Sequence, residues 1–224
     1  VWAVSNGMAH IASASTMNNA HLISPRFNLS GDQRYLMSFD VLQSTLNVSR
    51  PDSLFVLFIK DETEIEIDTL RSVAIQNASS TGMVQIKVDV PQTNGVGSFD
   101  FALNGYRECK IDNFLLRAKS NEAEILTFAI EEQTTAPVID PENATISVYV
   151  VAELENGMEF APTFTISENA TVDEPSGASR DFSEPVEYVV TAEDGVTTKT
   201  WTVTVTIDEN YCQNPTANDI NLVV

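Results

Sequence analysis

The sequence predicts an all-β chain built from two sandwich domains in tandem. Its apolar residues fall in short runs that alternate with polar residues, and helical periodicity is nearly absent. Gly, Pro, Asn, Asp and Ser interrupt these runs at short intervals. The clearest segment is an alternating pair, 186–192 and 200–206, separated by Asp194-Gly195, which can supply the positive φ of a hairpin connection. This segment indicates a structural role rather than an active site.

Composition limits the function classes. The 224 residues allow two domains, each with its own core. The net charge of -20, from 12 Lys and Arg against 32 Asp and Glu, excludes nucleic-acid binding because phosphates would be repelled. No run approaches the ~18 apolar residues of a membrane helix, so we expect no direct membrane insertion. The absence of a leader segment does not argue for the cytoplasm, because such segments are removed.

The first half of the chain offers six candidate strands. Segment 54–59 is apolar throughout, which predicts a central strand covered on both faces. Segments 60–64 and 77–82 have turn and loop compositions. Six strands suit a sandwich, and they are predicted at 20–24, 34–41, 53–59, 83–90, 98–103 and 109–116.

The second half begins after the polar stretch 117–123, which we interpret as a linker with the boundary near Lys119. Trp201 alternates with Val203 and Val205 and is therefore predicted to lie in the core. This organisation divides the chain into domains 1–118 and 119–209, with a tail, 210–224, that opens a further module or completes the first sheet. Short strands separated by Pro-containing turns predict an Ig-like sandwich, with strands at 124–130, 145–151, 163–167, 186–192 and 200–207.

The second half resembles the Ig-like β-sandwich repeats of cell-surface lipoproteins from Bacteroidetes-type bacteria. The resemblance lies in segments 125–128, 145–150 and 162–167, and above all in Ser176-Gly177 with Asp181-Phe182 leading into 188–195. It implies a spacer without catalytic residues, in a protein that is secreted or displayed on the outer-membrane surface.

Residues 1–118 resemble the jelly-roll modules called cleaved-adhesin or choice-of-anchor domains. The resemblance lies in 21–30 (HLISPRFNLS), 36–40 (LMSFD) and 111–114 (IDNF). It implies a jelly-roll β-sandwich, related in shape to galactose-binding and other carbohydrate-binding modules. The chain departs from the family pattern at His21, where Trp often stands, and the usual first strand before Trp2 is short or missing.

Exposed aromatic residues are what sugar recognition requires, because the apolar face of a pyranose stacks on a flat ring. Trp2, Tyr35 and Tyr106 are the candidates, and Asn104 and Arg107 flank Tyr106 with hydrogen-bonding groups. The alternative is that these aromatic residues pack in the core or at a sheet edge.

Asp112, Asn113 and Asp40 could supply oxygen ligands for Ca²⁺. The alternative is that their side chains form hydrogen bonds that close a turn. No other cofactor is predicted.

Catalysis has little support in the sequence. His10 and His21 are the only histidines, and we expect His21 to be a packing or edge residue. A glycoside hydrolase needs two suitably spaced carboxylates, which Asp40, Asp100 and Asp112 could supply. We expect each of these three instead to be a solvated residue at a strand end or turn.

The sequence therefore predicts a non-enzymatic, monomeric surface protein, a glycan-binding or adhesion module on an Ig-like spacer. Its expected partner is a polysaccharide or glycoprotein surface. The competing hypotheses are an accessory fragment of a secreted glycoside hydrolase and a purely structural spacer of an adhesin. Cys109 and Cys212 are expected to be unpaired, with a disulfide between them as the alternative.

Overall fold

The described part of the chain divides into two compact units. The computed structural model describes residues 3–5, 8–11, 18–43, 53–60, 63–71, 82–105, 109–151, 157–209 and 211. The units are Val1–Lys119 and Ser120–Val224, and each has its own hydrophobic core. All regular elements in these residues are strands, which confirms the all-β class. Among them, accordingly, no helix is long and apolar enough to cross a membrane.

The first unit is a jelly roll of two antiparallel sheets. One sheet has the order β1-β2-β9-β4-β7 and the other has the order β3-β8-β5-β6. Strands β2 to β9 are thus divided between two four-stranded layers, 2-9-4-7 and 3-8-5-6, and the chain changes layer at each step except from β5 to β6, which is the jelly-roll arrangement. The strands are β1 Ala3–Ser5, β2 Met8–Ile11, β3 Asn18–Leu29, β4 Tyr35–Gln43, β5 Ser53–Lys60, β6 Thr63–Arg71, β7 Val84–Val90, β8 Gly95–Gly105 and β9 Cys109–Ala118.

The core of this unit follows from the period-two alternation of its strands. Met37, Phe39 and Val41 of β4 are fully buried, whereas the residues between them are partly exposed. The ring of Phe39 meets that of Phe101 edge-on, with centroids 5.0 Å apart. One face of each layer therefore packs against the other layer.

Several expectations for the first unit were incomplete or wrong. Strands β1 and β2 were not predicted, and the supposed turn at 60–64 contains the start of β6, which pairs with β5 as a hairpin. Segment 54–59 is not covered on both faces. Leu54, Val56 and Phe58 are buried, but the alternate residues are only half-buried, because nothing among the described residues packs fully over that face. Of the predicted loop 77–82, only Gly82 lies within the described residues.

The second unit is an Ig-like sandwich around a five-stranded sheet of order β11-β12-β18-β17-β15. The pairs β10-β14 and β13-β16 complete it, and β12-β18 is the parallel pair among its described ladders. The five predicted strands are present, and four short ones are added. The strands are β10 Ile125–Ala129, β11 Val138–Asp140, β12 Thr145–Val151, β13 Glu159–Phe160, β14 Thr163–Ile166, β15 Thr171–Val172, β16 Arg180–Asp181, β17 Val186–Thr191 and β18 Thr198–Asp208.

The predicted hairpin is confirmed as β17-β18. Gly195 has φ +73°, and the side chain of Asp194 accepts hydrogen bonds from the two backbone amides that follow it. Trp201 is fully buried, as predicted, and its Nε1 donates to the Ala123 carbonyl at 3.1 Å. Local turn chemistry and alternation were thus sufficient to predict this element.

Two expectations concern residues outside the described part. The tail from residue 212 onward is one of them, so its assignment stays a prediction. Cys109 is buried at the start of β9, but Cys212 lies in that tail, and the pairing of the two thiols also stays a prediction.

Candidate functional site

A β-bulge in β3 shapes the site from one side. β3 is an edge strand that pairs with β8, and the register places Ile23 opposite Asp100 but Arg26 opposite Ser98. One extra residue therefore lies in β3 around Ser24-Pro25. Pro has no N–H for the ladder and is accommodated at an edge bulge. The Ser24 hydroxyl accepts a hydrogen bond from the Phe99 amide at 2.8 Å and so replaces a ladder bond.

A second bulge lies in β9, in the facing sheet. Asn113 has φ 51°, the left-handed region that Asn tolerates better than most residues. Its amide donates to Asp112 Oδ1 at 2.8 Å, and its Nδ2 donates to Asp40 Oδ2 at 2.7 Å. Because of the extra residue, the next side chain of β9 that faces the core after Ile111 is that of Phe114, three residues later instead of two.

A cavity of about 290 Å³ lies where the residues of these two bulges meet. Seven of the ten side chains that line it are apolar, and the three polar ones, from Ser24, Asp112 and Asn113, belong to the bulges. This combination of an apolar lining with a few polar groups is typical of ligand-binding pockets. The lining comes from four strands: Ala9 of β2, residues 22–25 of β3, Phe101 of β8 and residues 111–114 of β9.

The aromatic lining is held in place by a cluster of rings. Phe114 lies with its ring centroid 5.7 Å from that of Phe101, at an interplanar angle of 89°. It also lies 5.9 Å from both Phe27 and Phe99. Such ring pairs stabilise a fixed geometry beyond the area they bury. The cavity can therefore present a preformed apolar surface to a small ring while its polar groups meet hydroxyls.

The two predicted sugar-binding residues that the structure describes, Tyr35 and Asn104, do not line this cavity. Tyr35 is half-buried against the core, and its hydroxyl accepts from the Ser30 amide at 3.0 Å. Ser30 directly follows Leu29, which pairs with Gly95 at the start of β8. Asn104 is exposed and lies nine residues further along β8, about 30 Å away at ~3.3 Å per residue. The structure thus does not bring Tyr35 and Asn104 together. The other three, Trp2, Tyr106 and Arg107, lie outside the described residues, and the glycan role of all five stays a prediction.

The residues predicted for calcium do come together. Asp40 and Asp112 are direct partners in the β4-β9 ladder, and Asn113 bridges them as described. Two carboxylates and a donating amide fall short of the six to eight oxygens that Ca²⁺ takes. Across the residues that the structure describes, no group of three or more His, Cys, Asp or Glu could hold a metal. By themselves these side chains offer too few oxygens for a calcium ion, and their hydrogen bonds close the bulge, so the calcium site stays a prediction.

Asp100 corrects a prediction. It was expected to be solvated, yet it is 2% exposed, because it lies on β8 between β3 and β5. His21, on edge strand β3 as expected, has its Nδ1 2.6 Å from Asp100 Oδ2. Of the three acids suggested for a glycoside hydrolase, Asp112 lines the cavity, whereas Asp40 and Asp100 do not.

Sequence reasoning missed Ser24, Pro25 and Phe114 as site residues. A signal was present, because the segments that carry the jelly-roll resemblance, 21–30 and 111–114, converge on the cavity. A Pro inside a strand pattern also indicates a bulge. That the two bulges face each other is visible only in the folded structure.

The second unit matches a known family. Residues 125–205, about a third of the chain, match the family described as "SGBP, N-terminal". This match supports a module of the type found in surface glycan-binding proteins of Bacteroidetes. No curated protein matches the sequence.

Three solved structures are similar to parts of the chain. A candidate glycoside hydrolase from Bacteroides thetaiotaomicron is 39% identical over 42% of this chain and 27% of its own length, with a TM-score of 0.37, so the chain spans about a quarter of it. A CBM4 structure is 13% identical over 53% of this chain and 76% of its own, with a TM-score of 0.39. The baseplate tripod of bacteriophage Tuc2009 is 11% identical over 91% of this chain and 83% of its own, with a TM-score of 0.31. At these TM-scores, none of the three establishes a shared function.

Proposed function

We propose that this chain is a non-enzymatic glycan-binding module of a bacterial surface protein. The first domain binds a sugar in the cavity between β3 and β9, and the Ig-like domain presents it. The cavity, with its mainly apolar lining and three polar residues, is the observation that carries the proposal. The glycan-binding family matched by residues 125–205 supports the ligand class and a location at the cell surface.

The chemistry of the cavity suits a pyranose. The apolar face of the sugar can pack against Phe114, whose ring is held by its aromatic neighbours. Asp112 and Ser24, which belong to the lining, offer oxygen acceptors for sugar hydroxyls. The ring and the acceptors are attached to two paired sheets rather than to long loops, so little conformational entropy is lost on binding.

The same geometry favours binding over hydrolysis. Glycosidases of the usual type place two carboxyl groups on either side of the scissile bond. The lining of this cavity includes one carboxylate, that of Asp112. An incubation of the chain with polysaccharides tests this point, because the release of reducing ends would favour the hydrolase hypothesis.

A cavity-filling variant tests where the sugar binds. Ala9 lines the cavity, so Ala9→Phe should fill part of it. Ala118→Phe is the matched control, because Ala118 is exposed at the end of β9 and does not line the cavity. The chain should first be screened on a glycan array, and the affinity for the best ligand should then be measured by calorimetry.

We expect Ala9→Phe to weaken binding by at least about tenfold, equivalent to ~1.4 kcal/mol, and Ala118→Phe to leave it unchanged. Thermal unfolding of both variants controls for folding. Unchanged affinity in a folded Ala9→Phe variant would place the binding site elsewhere, including in the second domain. An array without any bound glycan would leave the structural-spacer hypothesis as the better one.

A further inference from the structure

The charge at the cavity rim limits which sugars can bind, and this inference rests on the proposed function. Among the residues that line the cavity, Asp112 is the charged one. Its direct partner across the ladder is Asp40, which is not among the lining residues. Neither carboxylate forms an ion pair with a Lys or Arg of the described residues.

Asp112 and Asp40 form an unfavourable cross-strand pair. Like charges directly opposite each other on antiparallel strands are destabilising. Asn113 donates one hydrogen bond to each carboxylate, but an amide supplies no positive charge. A net charge of -20 adds negative potential around the whole molecule. Among the described residues, no Lys or Arg pairs with the charge that Asp112 brings to the mainly apolar lining.

The size of the cavity also constrains the ligand. Its volume of about 290 Å³ lies at the small end of the ~300–1,000 Å³ typical of ligand pockets. It has room for one sugar ring rather than for a segment of several rings. The rest of a longer glycan would lie outside the cavity.

We infer that the cavity accepts a single neutral or amino-bearing pyranose and rejects sugars that carry a carboxylate or sulfate. An anionic group would be brought next to Asp112 with no cation among the described lining residues to receive it. Neutral hydroxyls and ammonium groups, by contrast, donate hydrogen bonds to a carboxylate. The selectivity is thus electrostatic and comes from Asp112.

The test uses methyl glycosides in three charge states. For each of the gluco, galacto and manno configurations, the neutral sugar, the 2-amino sugar and the uronate are titrated into the full-length protein and followed by protein-observed NMR. We expect the uronate to bind about fivefold more weakly than the neutral sugar at low salt, as a partly exposed charge contact allows. Added salt should strengthen uronate binding, weaken amino-sugar binding and leave neutral-sugar binding unchanged, because salt screens only the charged contacts.

Asp112→Asn provides the decisive variant, since it keeps the shape and an acceptor oxygen but removes the charge. This variant should lower the ratio of neutral-sugar affinity to uronate affinity to below about twofold. Asp32→Asn is the matched control, because Asp32 is exposed in the turn after β3 and its substitution removes the same charge away from the cavity. This control should leave the ratio as in the wild type.

The outcomes separate this inference from the proposed function. If sugars bind but the uronate binds as well as the neutral form, the charge inference is wrong and the proposed function stands. The charge inference is equally wrong if Asp112→Asn leaves the ratio and the salt dependence unchanged. If none of the nine probes binds, the proposed sugar site itself is wrong.

Discussion

His21→Ala should destabilise the first domain, because His21 is the hydrogen-bond partner of a buried acid. Asp100 is 2% exposed, and its Oδ1 has no hydrogen-bond partner. Its Oδ2 lies 2.6 Å from His21 Nδ1, and the His21 side chain is 46% exposed. The substitution by alanine therefore removes the hydrogen bond of Oδ2, the carboxylate oxygen of Asp100 that has one.

The expected loss can be bounded. An unsatisfied buried polar group costs about 1–3 kcal/mol, and loss of one partner of a fully buried ion pair costs about 3–5 kcal/mol. Because His21 is half exposed, water can reach the space that alanine leaves, and we expect a loss of about 2 kcal/mol. At roughly 4 °C per kcal/mol for a domain of about this size, the melting temperature should fall by about 8 °C.

Calorimetry and urea unfolding of the whole chain can measure this effect. His21→Gln, whose amide can still donate to Asp100, should retain part of the lost stability. The double variant His21→Ala/Asp100→Asn should lose less stability than the two single variants lose together, because the amide introduced at position 100 is buried without a charge. A His21→Ala loss below about 0.5 kcal/mol, or strictly additive variants, would refute this reasoning.

Three further predictions concern stability. Gly97→Ala should cost about 1–3 kcal/mol in urea unfolding, because a Cβ there would lie 2.5 Å from Phe58, whereas the control Gly82→Ala has open space and should be nearly neutral. Asp194→Ala should lower the stability of the second domain by about 1–3 kcal/mol, since its carboxylate accepts two backbone amides and a hydroxyl in the hairpin turn. Burial raises the pKa of Tyr188 above its ordinary 10.0. The free energy of unfolding should therefore keep its full value below about pH 10 and fall as the pH rises through the raised pKa. Tyr188→Phe should flatten this decline in urea midpoints measured from about pH 9 to 11, and an unchanged slope would contradict the assignment.

Sequence reasoning succeeded where structure depends on neighbours in the chain. The β17-β18 hairpin was predicted because alternation and Asp194-Gly195 are local signals. β6 was missed because its first residues, Thr63 and Glu64, were interpreted as part of a turn at 60–64, although pairing with β5 organises them as a strand. A polar composition on one face does not prevent strand formation when a partner strand supplies the hydrogen bonds.

The candidate site was predicted only in part. Asp112, Asn113 and Asp40 were predicted to act together, and the structure does bring them together. The burial of Asp100 was not foreseen, because it depends on the strands that flank β8. Tyr35 was selected as a candidate exposed aromatic residue, and its packing against the core depends on distant strands that residue type does not reveal.

The sequence by itself determined that the chain forms strands, that these build two sandwiches, and that the surface is strongly acidic. These properties follow from period-two alternation and composition, which are read over a few residues at a time. The tertiary structure decided that the bulges of β3 and β9 face each other and line one open cavity. That outcome depends on register between distant strands, as in the bond from the Phe99 amide to Ser24, 75 residues away. Because one residue of slip moves every side chain of a strand to the other face, such register is fixed only when the whole sandwich has assembled.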